Sequence, residues 1–447
     1  MTRRVHEPAP LLSADDARRV IFEHALKPRP ISVALEEATG FVLAREVRAD
    51  RDVPPFDRAT LDGYAVRVAY AGADGRDGGS PSPGDGAELV CEYPVVARIV
   101  AGAPSKKSLA PGSAVSITTG SPVPPGADLV VPVEKTSVPE EGRVRIDPTY
   151  LASVRAAIET GLAGGDKPAI AARGTDAKKG DSVLRAGTRL RPQDIAVLAG
   201  VGAARVPVRP QPAVEIFATG DEVVEPHERP RWDQIRNSNG PLLRSLLTAS
   251  GWVRTAAMRR VPDHPGKLAR RIEGAKANVL VFTGGVSMGE RDFVPAALRD
   301  AGFRIHIHRI AIRPGKPFLF ATRGRGPSAR AVFGLPGNPF SVLVTAWEFL
   351  LPFLRASAGA TFPGPVTEVC IAGRTLDRPA GLTHFVPIEA TAATETGFRE
   401  VAPVGYHGSG DYIAMGRTRG VVVLPSDATH VDAGDRVLVH FFGAEPA

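Results

Sequence analysis

Four short segments in the middle of the chain combine glycine, hydroxyl and charged residues in a way that suits a phosphorylated ligand. They are Thr219-Gly220-Asp221-Glu222; Thr283-Gly284-Gly285-Val286-Ser287-Met288-Gly289 with Asp292 just beyond; Arg313-Pro314-Gly315-Lys316-Pro317; and Gly334-Leu335-Pro336-Gly337-Asn338-Pro339-Phe340-Ser341. Gly284 and Gly285 let the backbone approach a phosphate without interference from a Cβ. Amide groups at a strand-to-helix turn face negative charge. Thr283 and Ser287 add hydroxyl donors. Arg313 can grip an oxyanion with two donors, and Lys316 acts as a point charge. Asp221, Glu222 and Asp292 would repel a phosphate unless a cation lies between, which points to Mg2+. A single Gly-Gly turn is an ordinary connector; four such turns at consecutive strand ends form a site.

The elements that must carry these turns alternate. PAVEIFATG, RTAAMRRV, NVLVFTGG, FRIHIHRIAI and ARAVFGLPG read as strands. SNGPLLRSLLTASG (with Ser238 as cap), HPGKLARRIEGA, FVPAALRDAG and NPFSVLVTAWEFLLPFLRAS read as helices. Alternation of this kind predicts a doubly wound α/β domain over 211–358, with a parallel sheet and ligands beyond the carboxyl ends of its strands.

Around it the character changes. Ser13 caps an expected helix over 13–26, with Asp15 and Asp16 in the first turn, and a second short helix is expected around Val33–Ala38. Short β-rich segments bounded by Gly and Pro predict an inserted β domain at 49–172. Within it, Asp62-Gly63 turns into the strand YAV, and 71–86 forms a surface loop. Residues 1–48 and 173–210 make a small discontinuous helical domain, and 191–210 reads as a helix, a strand and a Pro-rich joint. A β-barrel-like or sandwich domain covers 359–447. The whole is thus multidomain, α/β plus β.

The net charge is +7 and aromatics are 6% of the chain. The basic residues are scattered and few rings are available for stacking bases, so a small anion is expected and nucleic acid is not. Two distant cysteines, Cys91 and Cys370, argue for a reducing cytoplasm without a disulfide framework. The N-terminus lacks the apolar stretch of a secretory signal, and no apolar run is expected to reach bilayer length.

Taken in order, PPFDRATLDGYAV, TTGSPVPPGADLVVPVE, RGTD, TGDE, IRNSN, TGGVSMGERD, RPGKP and GLPGNPFS resemble the molybdopterin molybdenumtransferases, the MoeA and gephyrin E-domain family. The resemblance runs from about residue 11 to the end. It implies insertion of molybdate, or the similar dianion tungstate, into adenylylated molybdopterin with Mg2+, and release of AMP with the finished cofactor. It also implies a homodimer whose active cleft is completed by the partner's β domain, and a molybdopterin adenylyltransferase as a partner.

On the resemblance, the catalytic acids are Asp62, Asp176, Glu222, Asp263 and Asp292, with Glu222 and Asp292 holding Mg2+. The substrate-binding set is Thr119, Thr219, Gly220, Asp221, Ser238, Asn239, Thr283, Gly284, Gly285, Ser287, Gly289, Arg313, Pro314, Lys316, Pro336, Gly337, Asn338, Ser341 and Ser409. The chain departs from the family pattern in three places. Arg313 stands where the family usually has Lys, Thr175 stands before the acid of RGTD in place of Glu, and Leu382 stands where an arginine is common. Rival readings are an adenylyltransferase or CinA-like enzyme sharing the α/β domain, and a carrier or scaffold that binds the pterin without turnover.

Overall fold

A computed structural model describes residues 11–69, 89–103, 107–159, 167–262, 264–286, 293–393 and 397–443. The loop expected at 71–86 lies outside them. The chain forms two compact units, one of Met1–Arg45, Arg185–Ala196 and Ala204–Ala447, the other of Glu46–Leu184 and Val197–Ala203.

The first unit is built on a six-stranded sheet. Its strands are β1 (Ala213–Thr219), β2 (Thr255–Val261), β3 (Val279–Thr283), β4 (Arg304–His308), β5 (Leu319–Arg323) and β6 (Arg330–Leu335), in the order β2-β1-β3-β6-β5-β4. Every residue of β1 and β3 is buried. Near-continuous apolar runs are what a strand covered on both faces requires, and the charged break in β1, Glu215, accepts from Arg259 Nε at 2.7 Å. The helices are α1 (Asn239–Ser250), α2 (Pro265–Gly274), α3 (Val294–Asp300) and α4 (Pro339–Ser357).

The sheet is not wholly parallel, as the alternation had suggested. β2, β1, β3 and β6 are parallel, but β5 runs antiparallel to both β6 and β4. The segment 309–318 that joins β4 to β5 is too short for a parallel crossover, which needs a helix-sized connection. β5 also escaped the reading of the sequence. Its polarity matters to the site: Leu319 pairs with Gly334, so the start of β5 lies at the same edge as the ends of β3 and β6.

The helix α4, expected as the last helix of this domain, approaches a membrane span only in length and composition. Its 19 residues, with mean hydropathy 1.3, are long and apolar enough to cross a bilayer, yet 94% of that window is buried inside the unit. It is the core helix against which Phe318, Phe320 and Phe333 pack. A π-helical stretch, Ala346–Leu350, interrupts it and carries the fully buried Glu348. That carboxylate accepts hydrogen bonds from Arg18 Nη2 at 2.7 Å and meets His440 Nδ1 at 2.8 Å.

The N-terminal helix is as expected, Ala14–Glu23, capped by the Ser13 hydroxyl accepting from the Asp16 amide at 3.1 Å. Such a cap contributes about 1 kcal/mol. The helix buries Ala14, Ala17 and Ile21 against the α/β core. The second helix, expected at Val33–Ala38, is instead a strand, Ile31–Ala34, ending in one 3-10 turn, Leu35–Glu37. Ile31–Ala34 pairs with Arg205–Arg209, and that long-range pairing overrides the local helical signal.

The C-terminal part is a barrel. Thr383–Ala393, Arg399–Pro403, Thr367–Ala372, Arg436–Phe441 and Gly420–Leu424 pair in that order, and the last returns to the first. Closure leaves no free edge among these strands. A short strand from the α/β domain, Ile312–Arg313, adds to Thr383-His384 and ties the Arg313–Pro317 turn to the barrel.

The second unit centres on another six-stranded sheet, ordered Leu129–Pro132, Gly63–Arg67, Ser113–Ile117, Glu92–Ile99, Arg143–Ile146, Thr136–Ser137. Period-2 alternation sends neighbours to opposite faces: Ala65 joins one apolar cluster with Val115 and Ile117, while Val66 joins another with Tyr93 and Val144.

Candidate functional site

The carboxyl edge of the α/β sheet gathers the expected turns. The turn after β3 has Gly284 at φ +86° and Gly285 at φ +65°, left-handed conformations that favour glycine. A Cβ on Gly284 would stand 3.1 Å from Thr219 Oγ1 and 3.3 Å from the Thr219 carbonyl. The Thr219 hydroxyl donates to the Thr283 carbonyl at 3.1 Å. Thr219 and Thr283 are both buried, so Thr219 shapes the turn. The Gly284 amide donates to the Leu335 carbonyl at 3.1 Å, which ties this turn to the end of β6.

At the β1 end, Gly220 has φ +130°, and a Cβ there would lie 2.8 Å from Glu222 Oε1. The Glu222 carboxylate therefore folds over a position only glycine leaves open. Asp221 and Glu222 are exposed beside it. The other acids assigned here, Asp263 and Asp292, lie outside the described residues, as do Ser287 and Gly289.

The start of α1 differs from expectation. Ser238 has helical backbone angles and makes no side-chain cap bond. The cap is Asn237, whose Oδ1 accepts from the Gly240 amide at 2.9 Å. A backbone already helical at Ser238 moves the cap one residue earlier. Asn239 Nδ2 donates to the Gly337 carbonyl at 2.6 Å, and its Oδ1 is buried without a partner.

A cleft of about 590 Å³ opens between the α/β domain and the barrel, lined by Arg313, Pro314, Gly315 and Lys316, by Pro336, Gly337, Asn338 and Ser341, and by Leu382, Tyr406, Gly408 and Ser409 among others. Asn338 Nδ2 donates to Ser409 Oγ at 2.8 Å, and the Phe340 amide to the Ser409 carbonyl at 3.1 Å. These bonds seat the barrel segment on the first turn of α4. The lining contains two cationic side chains, Arg313 and Lys316, and no carboxylate. Neither cation forms an ion pair among the described residues. Its chemistry is that of an oxyanion receptor: fixed positive charge, hydroxyls and backbone amides.

Leu382 lines this cleft at the position where an arginine was expected from the family pattern. Behind it, His384 is buried and pairs in register with Arg313. Burial pushes its imidazole below the usual range, and Arg313 and Arg378 add to the fall, against the opposing hydrogen bond to the Pro379 carbonyl. His384 therefore adds no charge to the cleft near neutral pH.

In the second unit Asp62 and Thr119 come together. Asp62 Oδ1 accepts from the Thr119 amide at 2.6 Å and from its hydroxyl at 2.8 Å. The backbone bond first, then the hydroxyl, hold the Asp62 carboxyl below its usual range. It is an exposed, ionised acceptor. Asp176 is exposed in a turn whose amide donates to the Val53 carbonyl at 2.9 Å. The neighbouring Arg173 is held from two sides, its amide by Asp57 at 2.9 Å and its Nε by Asp52 at 2.6 Å.

Tyr406 was missed from the sequence, and Gly408 and Asn237 were read there only as parts of motifs, not as site residues. Gly408, at φ +109°, stands one residue from Ser409, and Asn237 stands within IRNSN, so a turn-by-turn reading could have found both. Tyr406 had no local signal; its place comes from a tilted ring contact with Phe340, centroids 5.8 Å apart at an interplanar angle of 55°.

This arrangement is that of a multidomain molybdopterin enzyme. Residues 12–202 match the MoeA N-terminal region (domain I and II), 215–356 the probable molybdopterin binding domain, and 370–442 the MoeA C-terminal region (domain IV). A molybdopterin molybdenumtransferase from Nostoc sp. is 33% identical, with 97% of this chain and 95% of that protein covered. One from Bacillus subtilis is 30% identical over 96% and 93%. The solved molybdopterin biosynthesis MoeA protein from Pyrococcus horikosii is 26% identical, with a TM-score of 0.74 over 97% of this chain and 100% of that one. The chain belongs to the molybdopterin molybdenumtransferase family, and is a transferase of molybdenum cofactor biosynthesis.

Proposed function

We propose that the protein inserts molybdate into adenylylated molybdopterin, releasing AMP. The observation that carries this reading is the cleft at the junction of β6, β5 and the barrel: Arg313 and Lys316 without a carboxylate, beside Ser341 and Ser409. A tetrahedral dianion is balanced there by two fixed charges and reached by hydroxyl donors. The Gly284-Gly285 turn takes the phosphoanhydride, because its left-handed glycines leave the backbone open to close approach. An oxygen of molybdate or water attacks a phosphorus of the anhydride and the P–O bond to the bridging oxygen breaks, so AMP leaves. The pterin's two thiols bond molybdenum as one oxide departs with their two protons as water, with no change of oxidation state.

Mg2+ fits the residues present in a limited way. Among the described residues no group of three or more acids, histidines or cysteines could hold a metal ion. Mg2+ does not need one: it commonly binds one or two carboxylates and completes its shell with phosphates and water. Glu222, exposed over Gly220, is one such carboxylate, and Asp292 would be the second. The ion would neutralise phosphate charge as the anhydride breaks.

Asp62 and Asp176 serve the reaction from the β unit of a second copy, orienting the reacting groups in a homodimer. The low carboxyl pKa direction of Asp62 suits a permanent anion rather than a proton donor. The adenylylated substrate must be supplied by a molybdopterin adenylyltransferase. The reaction is placed in a reducing cytoplasm, where the thiols of Cys91 and Cys370 stay unoxidised.

Leu382 favours one alternative, a catalytically weak carrier, because it removes a cation from the cleft. One experiment decides: purified protein with adenylylated molybdopterin, Mg2+ and either molybdate or tungstate, with AMP measured. Oxyanion-dependent AMP release that Arg313→Ala/Lys316→Ala abolishes supports the reaction and reveals the preferred metal. Tight pterin binding without AMP release supports the carrier.

A further inference from the structure

Asp62 and Asp176, the acids given to the reaction from the second unit, stand on segments far apart in its sequence. Asp62 is held by the loop after Ser113–Ile117, through Thr119. Asp176 follows a turn, Ala172–Thr175, in which the Thr175 amide donates to the Ala172 carbonyl at 3.1 Å and Gly174 has φ +73°. What sets one acid against the other is the stretch from Asp52 to Asp62.

That stretch is bonded on both sides. Arg58–Ala59 pairs antiparallel with Ile170–Ala171, and Arg58 also bridges Pro122. The Ala59 amide donates to the Ser121 carbonyl at 3.0 Å, and the Gly120 amide donates to the Ala59 carbonyl at 2.9 Å. Nearer its start, the Pro54 carbonyl accepts from the Gly174 amide and the Val53 carbonyl from the Asp176 amide, both at 2.9 Å. Asp57, half-buried, lies where the two sets of bonds meet. Its carbonyl accepts from the Val123 amide at 2.8 Å, and its Oδ1 accepts from the Arg173 amide at 2.9 Å.

The side-chain bond supplies what the backbone ladder does not. The pairing with Ile170–Ala171 ends at Arg58, and the chain then turns away. A β-turn closes on the amide of its fourth residue, so the amide of its second residue, here Arg173, needs a partner outside the turn. The Asp57 carbonyl is taken by Val123, and its carboxylate takes the Arg173 amide. Asp52 secures the far side of the turn, accepting from Arg173 Nε at 2.6 Å and from the Lys179 amide at 2.9 Å. Closing a local turn would account for Asp57 if one loop were involved. Here a single residue joins the loop of Thr119 to the turn of Asp176.

We propose that Asp57 is a positioning residue for the reaction, fixing the turn of Asp176 relative to Asp62. The inference rests on the orienting role given above to those two acids. Asp57 acts through Asp176, and a displacement of an orienting group by about 1 Å costs on the order of a hundredfold in rate.

The test compares wild type with Asp57→Ala, Asp57→Asn, Asp176→Ala and Asp57→Ala/Asp176→Ala, by steady-state AMP release and by hydrogen exchange of peptides covering 172–177. Circular dichroism checks each fold, and Asp57→Ser, whose oxygen is one bond shorter, replaces the alanine variant if that one does not fold. Asp57→Ala is expected to lower kcat roughly tenfold to a hundredfold, with KM for adenylylated molybdopterin within about twofold, and to speed exchange in the turn. Asp57→Asn keeps an acceptor oxygen and should restore both. In the Asp176→Ala background, Asp57→Ala should lower kcat by less than about twofold, because the residue it positions is gone. Full turnover in Asp57→Ala, losses that multiply in the double variant, or no rescue by Asp57→Asn would each overturn the proposal while leaving the reaction intact. Full turnover in Asp176→Ala, or no AMP release by wild type, would instead overturn the reading on which it rests, and the positioning role with it.

Discussion

Replacing Gly284 by alanine tests whether the turn after β3 is shaped by its neighbours as the geometry indicates. Two costs can be worked from the structure. Gly284 sits at φ +86°, and holding an alanine in the left-handed region costs about 1–2 kcal/mol. Its new methyl would stand 3.1 Å from Thr219 Oγ1, tighter than ordinary van der Waals contact. The hydroxyl must give way, and its 3.1 Å bond to the Thr283 carbonyl weakens. Losing that buried bond costs about 1 kcal/mol more. The α/β domain should therefore lose about 2–3 kcal/mol. All three tryptophans, Trp232, Trp252 and Trp347, lie in the first unit, so urea unfolding read by tryptophan fluorescence reports on that unit rather than on the whole chain. In a Thr219→Ala background the contact with the hydroxyl is absent, and Gly284→Ala should cost the left-handed term and the 3.3 Å contact with the residue 219 carbonyl, but not the lost hydrogen bond. The cycle should thus show a coupling of about 1 kcal/mol. A loss under about 0.5 kcal/mol for Gly284→Ala, or no coupling to Thr219, would refute the account of the turn.

Two further outcomes follow from the same structure. Glu348→Gln leaves Arg18 and His440 facing a neutral amide in a fully buried position. Breaking such a pair should cost about 3–5 kcal/mol, read by the same fluorescence transition; a near-neutral effect would mean that the N-terminal helix, α4 and the barrel are not coupled through this carboxylate. Leu382→Arg restores a cation to a cleft that otherwise holds Arg313 and Lys316. Molybdate affinity should rise by roughly tenfold, the size of one added charge-assisted contact, by equilibrium dialysis; unchanged affinity would place residue 382 outside the oxyanion's reach.

The strand-end turns were legible because their chemistry is local. A glycine needed at positive φ and a hydroxyl beside it are written within a few residues, as at 283–285. The same holds for the Ser13 cap and for the buried runs of β1 and β3. Local signals failed where a distant partner decides. Ile31–Ala34 reads as helix until Arg205–Arg209 pairs with it. Ser238 reads as a cap, but the backbone is already helical there and Asn237 takes the role.

By itself, then, the amino-acid order determined that an α/β domain with glycine-rich strand-end turns exists and which family the chain resembles, because those properties depend on residue type and short spacing. Only the tertiary structure decided how the turns meet. The polarity of β5 brings the Arg313–Pro317 turn to the edge shared by β3 and β6, although it precedes its strand. Closure of the barrel places Leu382, Tyr406 and Ser409 across from it. Packing also makes the long apolar stretch Pro339–Ser357 a core helix. Each of these depends on contacts between segments far apart in the chain, and the burial and charge they create are properties of the assembled fold.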